Sequence, residues 1–506
     1  MRFPEFLRPA AQKPRVSLGR RGPFGLFPLM LALSQLHTHA YLVGASGTGK
    51  SKYLQHLLFH LATAGWGCGV IDPHSDLAND FIAQLASYPK PNPWLNQPAN
   101  RRRVVYLDPA RTDIVVPVNL LKNSVATSYE IAENIVEAFR RVWPETLAEA
   151  PRFAQILRNT LLVLATRGLT LLELEPFLTH AEYRSKLLTN FPDSQVTSFF
   201  ATQYNRWGRE QVLMASPVLN KVSAFLFQPA VRRSLGAAEN RLDFRALIDG
   251  GQVLIVDLGG LAEETQQLYG SLLVATLEQA AMTRRDQAPE ERRPFFCFID
   301  EFPNFITRDS VTLARILSEV RKYRVSFFLA HQTIAQTDGR MQGALENAML
   351  KICFASGRQT AETLAPILYL PQPDAVKHMV EDADYQDRSH PLFESLYNQV
   401  EMAVQQIMRL KRRHVLVKLP DAEQVVELAT PSVPPALLSR EDLAQVKRCL
   451  ASQNGIARQK VDEEESKRGA ATEAPSPAKG VEPVDWVQAL WQKPAAAGER
   501  QVTFQH

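Results

Sequence analysis

Cysteine is scarce. The chain holds four in 506 residues, at Cys68, Cys297, Cys353 and Cys449, with no C-x-x-C and no paired histidine spacing. That spacing excludes a disulfide framework and a zinc site, and it fits a reducing compartment. Long apolar runs are missing too, since none approaches the roughly 18 residues a membrane-spanning helix needs. The longest candidate, Phe24 to Leu33, is broken by Pro28 and lacks the small-residue cleavage site of a secretory signal. A cytoplasmic protein is expected, reaching the inner face of a membrane only as a peripheral partner of other proteins. Net charge is small as well: 57 basic against 53 acidic residues give +4, a balance that does not by itself announce nucleic-acid binding. The distribution is less even, with basic doublets and triplets at Arg101-Arg102-Arg103, Arg140-Arg141, Arg232-Arg233 and Lys411-Arg412-Arg413. Such clusters are ordinary solvated faces that also permit a polyanionic partner.

What is present is an ordinary globular composition, 45% hydrophobic and 22% charged, with a patterned middle. Residues 1–38 read as a basic N-terminal arm punctuated by proline and glycine. From His39 onward come seven short apolar runs: Tyr41–Val43, Cys68–Ile71, Val104–Leu107, Val253–Val256, Phe295–Ile299, Val325–Leu329 and Ile352–Phe354. Near-continuous apolar strands suit a parallel sheet covered by helices on both faces. The expected fold is therefore α/β, a doubly wound, mostly parallel sheet. The sheet domain is expected over 39–123 and 248–420. Between them, 124–247 carries helical periodicity, with a capping box at Thr170 and Glu173 and a helix start at Ser216-Pro217. It reads as an all-helical insert of the size of an independent module. After Pro420 a C-terminal extension (421–450) leads into a polar stretch, 451–481, whose composition predicts a disordered linker. The tail, 482–506, regains Trp486 and Trp491, which either fold back on the body or dock on a protein partner through residues 482–491.

The chemistry-bearing residues are sharply placed. Gly44-Ala45-Ser46-Gly47-Thr48-Gly49-Lys50-Ser51 fits G-x-x-x-x-G-K-[ST] and stands between an apolar strand and a helix, the context of a phosphate-binding loop. Its glycines let backbone N–H groups curl around phosphates, Lys50 would neutralise the β- and γ-phosphates of ATP, and the Ser51 hydroxyl would ligate Mg²⁺. The run Phe296–Ile299 delivers Asp300 and Glu301 to the C-terminal end of a strand, where ligands of open parallel sheets bind. Asp300 is placed to hold Mg²⁺ and Glu301 to orient the attacking water. Ala330-His331-Gln332 ends another buried strand, putting Gln332 in reach of the γ-phosphate; His331 reads as structural. Arg321 lies on a helical period with Arg315, Glu319 and Lys322, and read alone it is a surface residue.

Taken in order, this phosphate loop, Ile71-Asp72-Pro73-His74-Ser75-Asp76-Leu77, Ile299-Asp300-Glu301-Phe302, Glu319-Val320-Arg321-Lys322-Tyr323 and Ala330-His331-Gln332 resemble the HerA/FtsK superfamily of ring-forming P-loop motors. Within it the pattern is most similar to the TraG and TraD type coupling proteins of conjugative transfer. The likeness covers about residues 35–420. It implies a RecA-like, DNA-stimulated ATPase that translocates DNA as a homo-oligomer, a hexamer by family precedent, in conjugation through a type IV secretion system. It further implies that Arg321 acts in trans on a neighbour's nucleotide and that Gln332 reads nucleotide state; Asp72 and His74 match a family segment without a definite role. Coupling proteins of the membrane type begin with transmembrane helices, which this sequence does not display. Three alternatives stand beside this reading: a HerA-like translocase of DNA processing or defence, a secretion-machine assembly ATPase acting on protein, and a non-enzymatic, nucleotide-gated scaffold.

Overall fold

The computed structural model describes residues 15–22, 26–143, 151–306, 310–370, 372, 374, 376–382, 385–420 and 422–463. Its strands are β1 (Arg15–Arg21), β2 (Phe27–Ala32), β3 (Ala40–Val43), β4 (Gly67–Asp72), β5 (Val104–Leu107), β6 (Ile114–Val115), β7 (Val253–Asp257), β8 (Phe295–Ile299), β9 (Val325–His331), β10 (Leu350–Cys353), β11 (Val376–Asp382), β12 (Tyr385–Phe393), β13 (His414–Lys418), β14 (Val425–Ala429) and β15 (Ile456–Ala457). Eleven of them form one sheet in the order β2-β1-β14-β13-β10-β3-β9-β8-β4-β7-β5. From β10 to β5 every neighbouring pair is parallel, and these strands coincide with the seven apolar runs of the sequence. The expected α/β fold is the fold observed.

Alternation along each strand separates two cores. Leu42, Val70, Phe298 and Phe328 face one side, under α1 (Lys50–Thr63) and α2 (Asp76–Ser87). Val43, Ile71, Ile299 and Leu329 face the other, under α3 (Ser128–Val142) and α5 (Glu263–Thr283). Between β6 and β7 the described residues hold helices and no strand. They do not form a separate module, however, because Phe139, Phe177, Phe200 and Phe225 belong to the same apolar cluster as Ile299 and Leu329. Helices α3 and α5 join the two parts, with Arg141 buried against Glu278 at 3.4 Å.

Four further expectations from the sequence need correction. The helix start at Ser216-Pro217 is an interior position of α4 (Gln211–Leu226). Proline there removes the N–H that would reach the Leu213 carbonyl, and the Ser216 hydroxyl donates to that carbonyl instead, at 2.8 Å. Residues 15–21 and 27–32 of the supposed arm pair as β1 and β2, β1 joining β14 through Arg20↔Ala429. The sheet does not end at Pro420: β14 pairs with β13, Val417 lying opposite Val426. Order also continues past 450. After α6 (Ser310–Glu319) and α7 (Leu396–Met408) comes α8 (Arg440–Asn454), which buries Val446 and Leu450, and β15 pairs with β6. The rest of the linker and the Trp486–Trp491 segment lie outside the described residues.

The centre of the sheet is where truncation should hurt most. Phe328 is 1% exposed and stacks on Phe298 with ring centroids 4.3 Å apart. Phe328→Ala is expected to cost about 3–5 kcal/mol, read as a lowered denaturation midpoint. Phe227→Ala, at an 84% exposed position, should stay within about 0.5 kcal/mol of the parent.

Candidate functional site

The loop Gly44–Ser51 leaves the C-terminal end of β3 and enters α1. Its conformation is pinned by Ala45 N donating to the Ala355 carbonyl at 3.0 Å and by the Thr48 hydroxyl donating to the Ala45 carbonyl at 2.7 Å. Gly47 and Gly49 have φ of 78° and 111°, left-handed values that glycine adopts without steric cost. Gly44 is needed for another reason: a Cβ there would stand 2.4 Å from the Cβ of Phe354. The loop thus ends on the free N–H groups and positive pole of α1, an arrangement suited to anions.

Strand β9 lies between β3 and β8, so the loop and the tip of β8 are two strand spacings apart, about 10 Å. Lys50 bridges that interval. Its ammonium is buried, 3.4 Å from Asp300 Oδ1 and 3.3 Å from Glu301 Oε2. Asp300 is tied to the sheet by its N–H, which donates to the Ile71 carbonyl at 3.2 Å. Glu301 takes a left-handed φ of 52°, a conformation that costs a non-glycine residue about 1–3 kcal/mol and is characteristic of functional sites. Burial pushes the Asp300 carboxyl upward, and Lys50 opposes that shift.

Gln332, expected near the γ-phosphate, is half-buried at the tip of β9, and its main-chain N–H donates to Gln336 Oε1 at 3.3 Å. It is Gln336 that reaches the catalytic candidate, donating from Nε2 to Glu301 Oε1 at 2.7 Å. Sequence reasoning missed this residue, although the capping box Thr333-Ile334-Ala335-Gln336 was a signal that its side chain would be fixed. His331 is buried beside Lys50; burial first and that ammonium second push it down to about 4, so it is neutral at physiological pH. It shares a 2.7 Å hydrogen bond with the Tyr41 hydroxyl and lies edge-on to Phe302, in keeping with a structural role.

The neighbouring strand tips are acidic. Asp72 accepts from the N–H groups of His74 and Ala78 at 2.9 and 2.8 Å. Burial, with Asp300 and Asp257 adding to it, holds its carboxyl at about 6. His74 itself is exposed. Ser75, at φ 68°, donates its hydroxyl to Asp257 Oδ1 at 2.5 Å. The other Asp257 oxygen meets Lys447 of α8 at 2.8 Å, a contact 190 residues distant in sequence that no local pattern could reveal.

Arg321 is exposed, in the turn Val320–Tyr323 before β9. That is the N-terminal edge of the sheet, opposite the edge that carries Lys50. There burial, then Arg324, then Arg321 push His37 down to about 4. The fold therefore assembles Gly44–Ser51, Asp300, Glu301 and the β9 tip, and does not bring Arg321 to them within one chain.

The packing at Gly44 generates a sharp expectation. Gly44→Ala must displace either the loop or Phe354, so ATP affinity should fall by about tenfold or more. Titration with a fluorescent ATP analogue reads it, and an unchanged affinity would disconnect this loop from phosphate binding.

Comparison with known proteins comes down on the same elements. The family model described as "Helicase HerA, central domain" matches residues 25–277, half of the chain. The model described as "TraM recognition site of TraD and TraG" matches residues 294–368. No curated protein matches by sequence. Among solved structures, the bacterial conjugative coupling protein TrwBdeltaN70 aligns with a TM-score of 0.55 at 16% identity, over 80% of this chain and 87% of its own. The plasmid coupling protein TrwB in complex with ADP and Mg²⁺ gives 0.51 at 14% identity, over 84% and 92%. VirB4 of Thermoanaerobacter pseudethanolicus gives 0.51 at 13%, over 83% and 96%. At these identities the likeness is one of fold.

Proposed function

Because this chain belongs to the HerA helicase central-domain family, we propose that it is an ATP-hydrolysing ring motor that translocates DNA, of the type that couples DNA to a secretion machine in conjugation. The observation that carries the proposal is the buried Lys50 ammonium held between Asp300 and Glu301 at the mouth of the glycine loop. A lysine so placed can exchange those carboxylates for phosphate oxygens. Likeness to the coupling protein TrwB and the match to a TraD and TraG model support the conjugative setting.

The residues suit Mg²⁺ shared with a nucleotide. Among the described residues no group of three or more His, Cys, Asp or Glu could hold a metal alone, but Mg²⁺ characteristically takes one or two protein oxygens plus phosphates. Ser51 and Asp300 would hold it, and its charge would offset that of the β- and γ-phosphates. Glu301, fixed by Gln336, orients a water for in-line attack on the γ-phosphorus. The new P–O bond forms as the bond to the β-phosphate oxygen breaks, and ADP departs. Gln332 and Gln336 couple the water-side carboxylate to the tip of β9, a route by which nucleotide state is felt. Arg321 supplies its charge to the site of the next subunit, a role consistent with its exposure at the far edge of the sheet. Force on DNA is applied through phosphate contacts, which are independent of sequence. No helix among the described residues is long and apolar enough to cross a membrane; attachment at a membrane, and any partner of residues 482–491, would come through other proteins.

ATP turnover should rise with added DNA and the stimulation should shrink as salt increases. Protein-stimulated turnover without a DNA effect would point instead to a secretion ATPase acting on protein. Lys50→Ala is expected to abolish nucleotide binding, whereas Glu301→Gln should bind ATP and fail to hydrolyse it; near-parental turnover in Glu301→Gln would remove the carboxylate from the mechanism.

Arg321→Ala should lower turnover by about 10³ or more while ATP affinity is kept. Mixing Arg321→Ala with Glu301→Gln subunits should then restore hydrolysis, because an intact arginine can face an intact glutamate across an interface. Full activity of Arg321→Ala alone would overturn the in-trans role.

A further inference from the structure

Arg284, the residue that follows α5, is 0% exposed, and nothing in the phosphate site calls for it. A guanidinium at that depth is costly unless its charge is matched and its donors are used. Asp249, in the helix Phe244–Gly250, matches the charge at 3.0 Å from Arg284 Nε. Burial pulls the Arg284 pKa down to about 10, with Asp249 opposing that shift, so the group is a cation at physiological pH. Its Nη1 is spent elsewhere. It donates to the Tyr323 carbonyl at 2.7 Å, two residues after Arg321.

The turn Val320–Tyr323 follows directly on α6, so its carbonyls are those a helix leaves unpaired at its C-terminal end. Four consecutive carbonyls there each have a fixed donor. That of Arg321 accepts from Arg324 N at 3.0 Å, that of Lys322 from Arg292 Nη1 at 2.7 Å, that of Tyr323 from Arg284, and that of Arg324 from Phe295 N of β8 at 2.9 Å. The Arg292 guanidinium also lies over the Tyr323 ring, 5.0 Å from its centroid. Arg324 closes the turn at a left-handed φ of 55°. The Arg321 side chain stays exposed; the main chain that carries it is held on every side.

What holds the turn is tied to the catalytic strand tip of the same subunit. Helix α5 is about 30 Å long and crosses from the edge of the sheet that carries Asp257 to the edge where β8 begins. Near its start Gln266 Nε2 donates to the Pro73 and Leu258 carbonyls at 2.7 and 3.1 Å. Ser271 Oγ donates to the Phe305 carbonyl at 2.8 Å, four residues after Glu301. Arg284 stands at the other end. Water or a flexible lysine could satisfy a helix carbonyl; a buried, planar fork on a rigid rod also fixes where the turn sits.

We infer that Arg284, assisted by Arg292, is a positioning residue for Arg321: it sets the turn from which the exposed arginine reaches the nucleotide of the next subunit. The inference rests on the in-trans reading of Arg321 and adds the residues that aim it. Aim matters because a misplacement of about 1 Å can cost about 10²-fold in rate.

The test measures steady-state ATP hydrolysis by the full chain carrying Arg284→Met, Arg284→Lys or Arg292→Gln, each alone and combined with Arg321→Ala. Arg284→Met should lower kcat by about 10²-fold and leave KM for ATP within about twofold of the parent. Arg292→Gln should lower kcat in the same way, and Arg284→Lys, which keeps one donor for the Tyr323 carbonyl, should recover part of the loss. In the Arg321→Ala background none of them should cost anything more, because a residue that acts through Arg321 then has nothing left to aim. Losses that multiply would mean a role in the fold alone and would overturn the inference. Parental kcat in Arg284→Met would overturn it as well. If Arg284→Met does not fold, shown by a lost melting transition, Arg292→Gln decides on the same two criteria, since that side chain is only half-buried. Full activity of Arg321→Ala by itself is the separate failure of the in-trans reading, and it is visible before any Arg284 variant is made.

Discussion

A lysine reaching across one intervening strand to two buried carboxylates is the contact on which the rest of this molecule depends. Its cost is large when either side is alone: an unpaired ammonium or a pair of adjacent carboxylates at this depth would be strongly destabilising. Together they satisfy one another only if β3, β9 and β8 keep their order and register, with Val43 opposite His331 and Ile299 opposite Leu329. The site and the sheet therefore constrain each other. The left-handed Glu301 and its bond from Gln336 belong to the same constraint, since the side chain must turn back towards Lys50 from the end of a strand.

Alternation carries this constraint outward. Each parallel strand sends one set of side chains under α1 and α2 and the other under the helical segment, so the phosphate loop and the helices between β6 and β7 rest on opposite faces of one sheet. The continuous apolar cluster means that movement of the helical segment cannot be independent of the strand tips. Arg141 buried against Glu278 lies on that path.

Much of this was legible in the sequence because it is written locally. A buried parallel strand is a short apolar run, and a phosphate loop is a fixed spacing of glycine, lysine and serine; both can be read without knowing what lies beside them. What was missed depends on long-range pairing. Strands β1, β2 and β14 alternate weakly and include Pro28 and Arg20, so they resemble connecting segments until a partner edge is supplied. Lys447 finds Asp257 only through the docking of α8. Pro217 looked like a helix start because proline usually is one; only the Ser216 hydroxyl, taking over the Leu213 carbonyl, makes the interior position tolerable.

The placement of β14 bears on how the protein would tolerate trimming. This strand is wedged between β13 and β1, and all three are antiparallel additions to the parallel centre. A version ending near Pro420 would keep the parallel strands and every motif residue yet leave β13 with a bare row of N–H and C=O groups, and β1 with nothing to pair against but β2. Unpaired strand edges recruit other chains, so such a fragment would be prone to stick to copies of itself through that flank. The parallel half of the sheet is thus kept from other chains by a segment that holds none of the loop and strand-tip motifs.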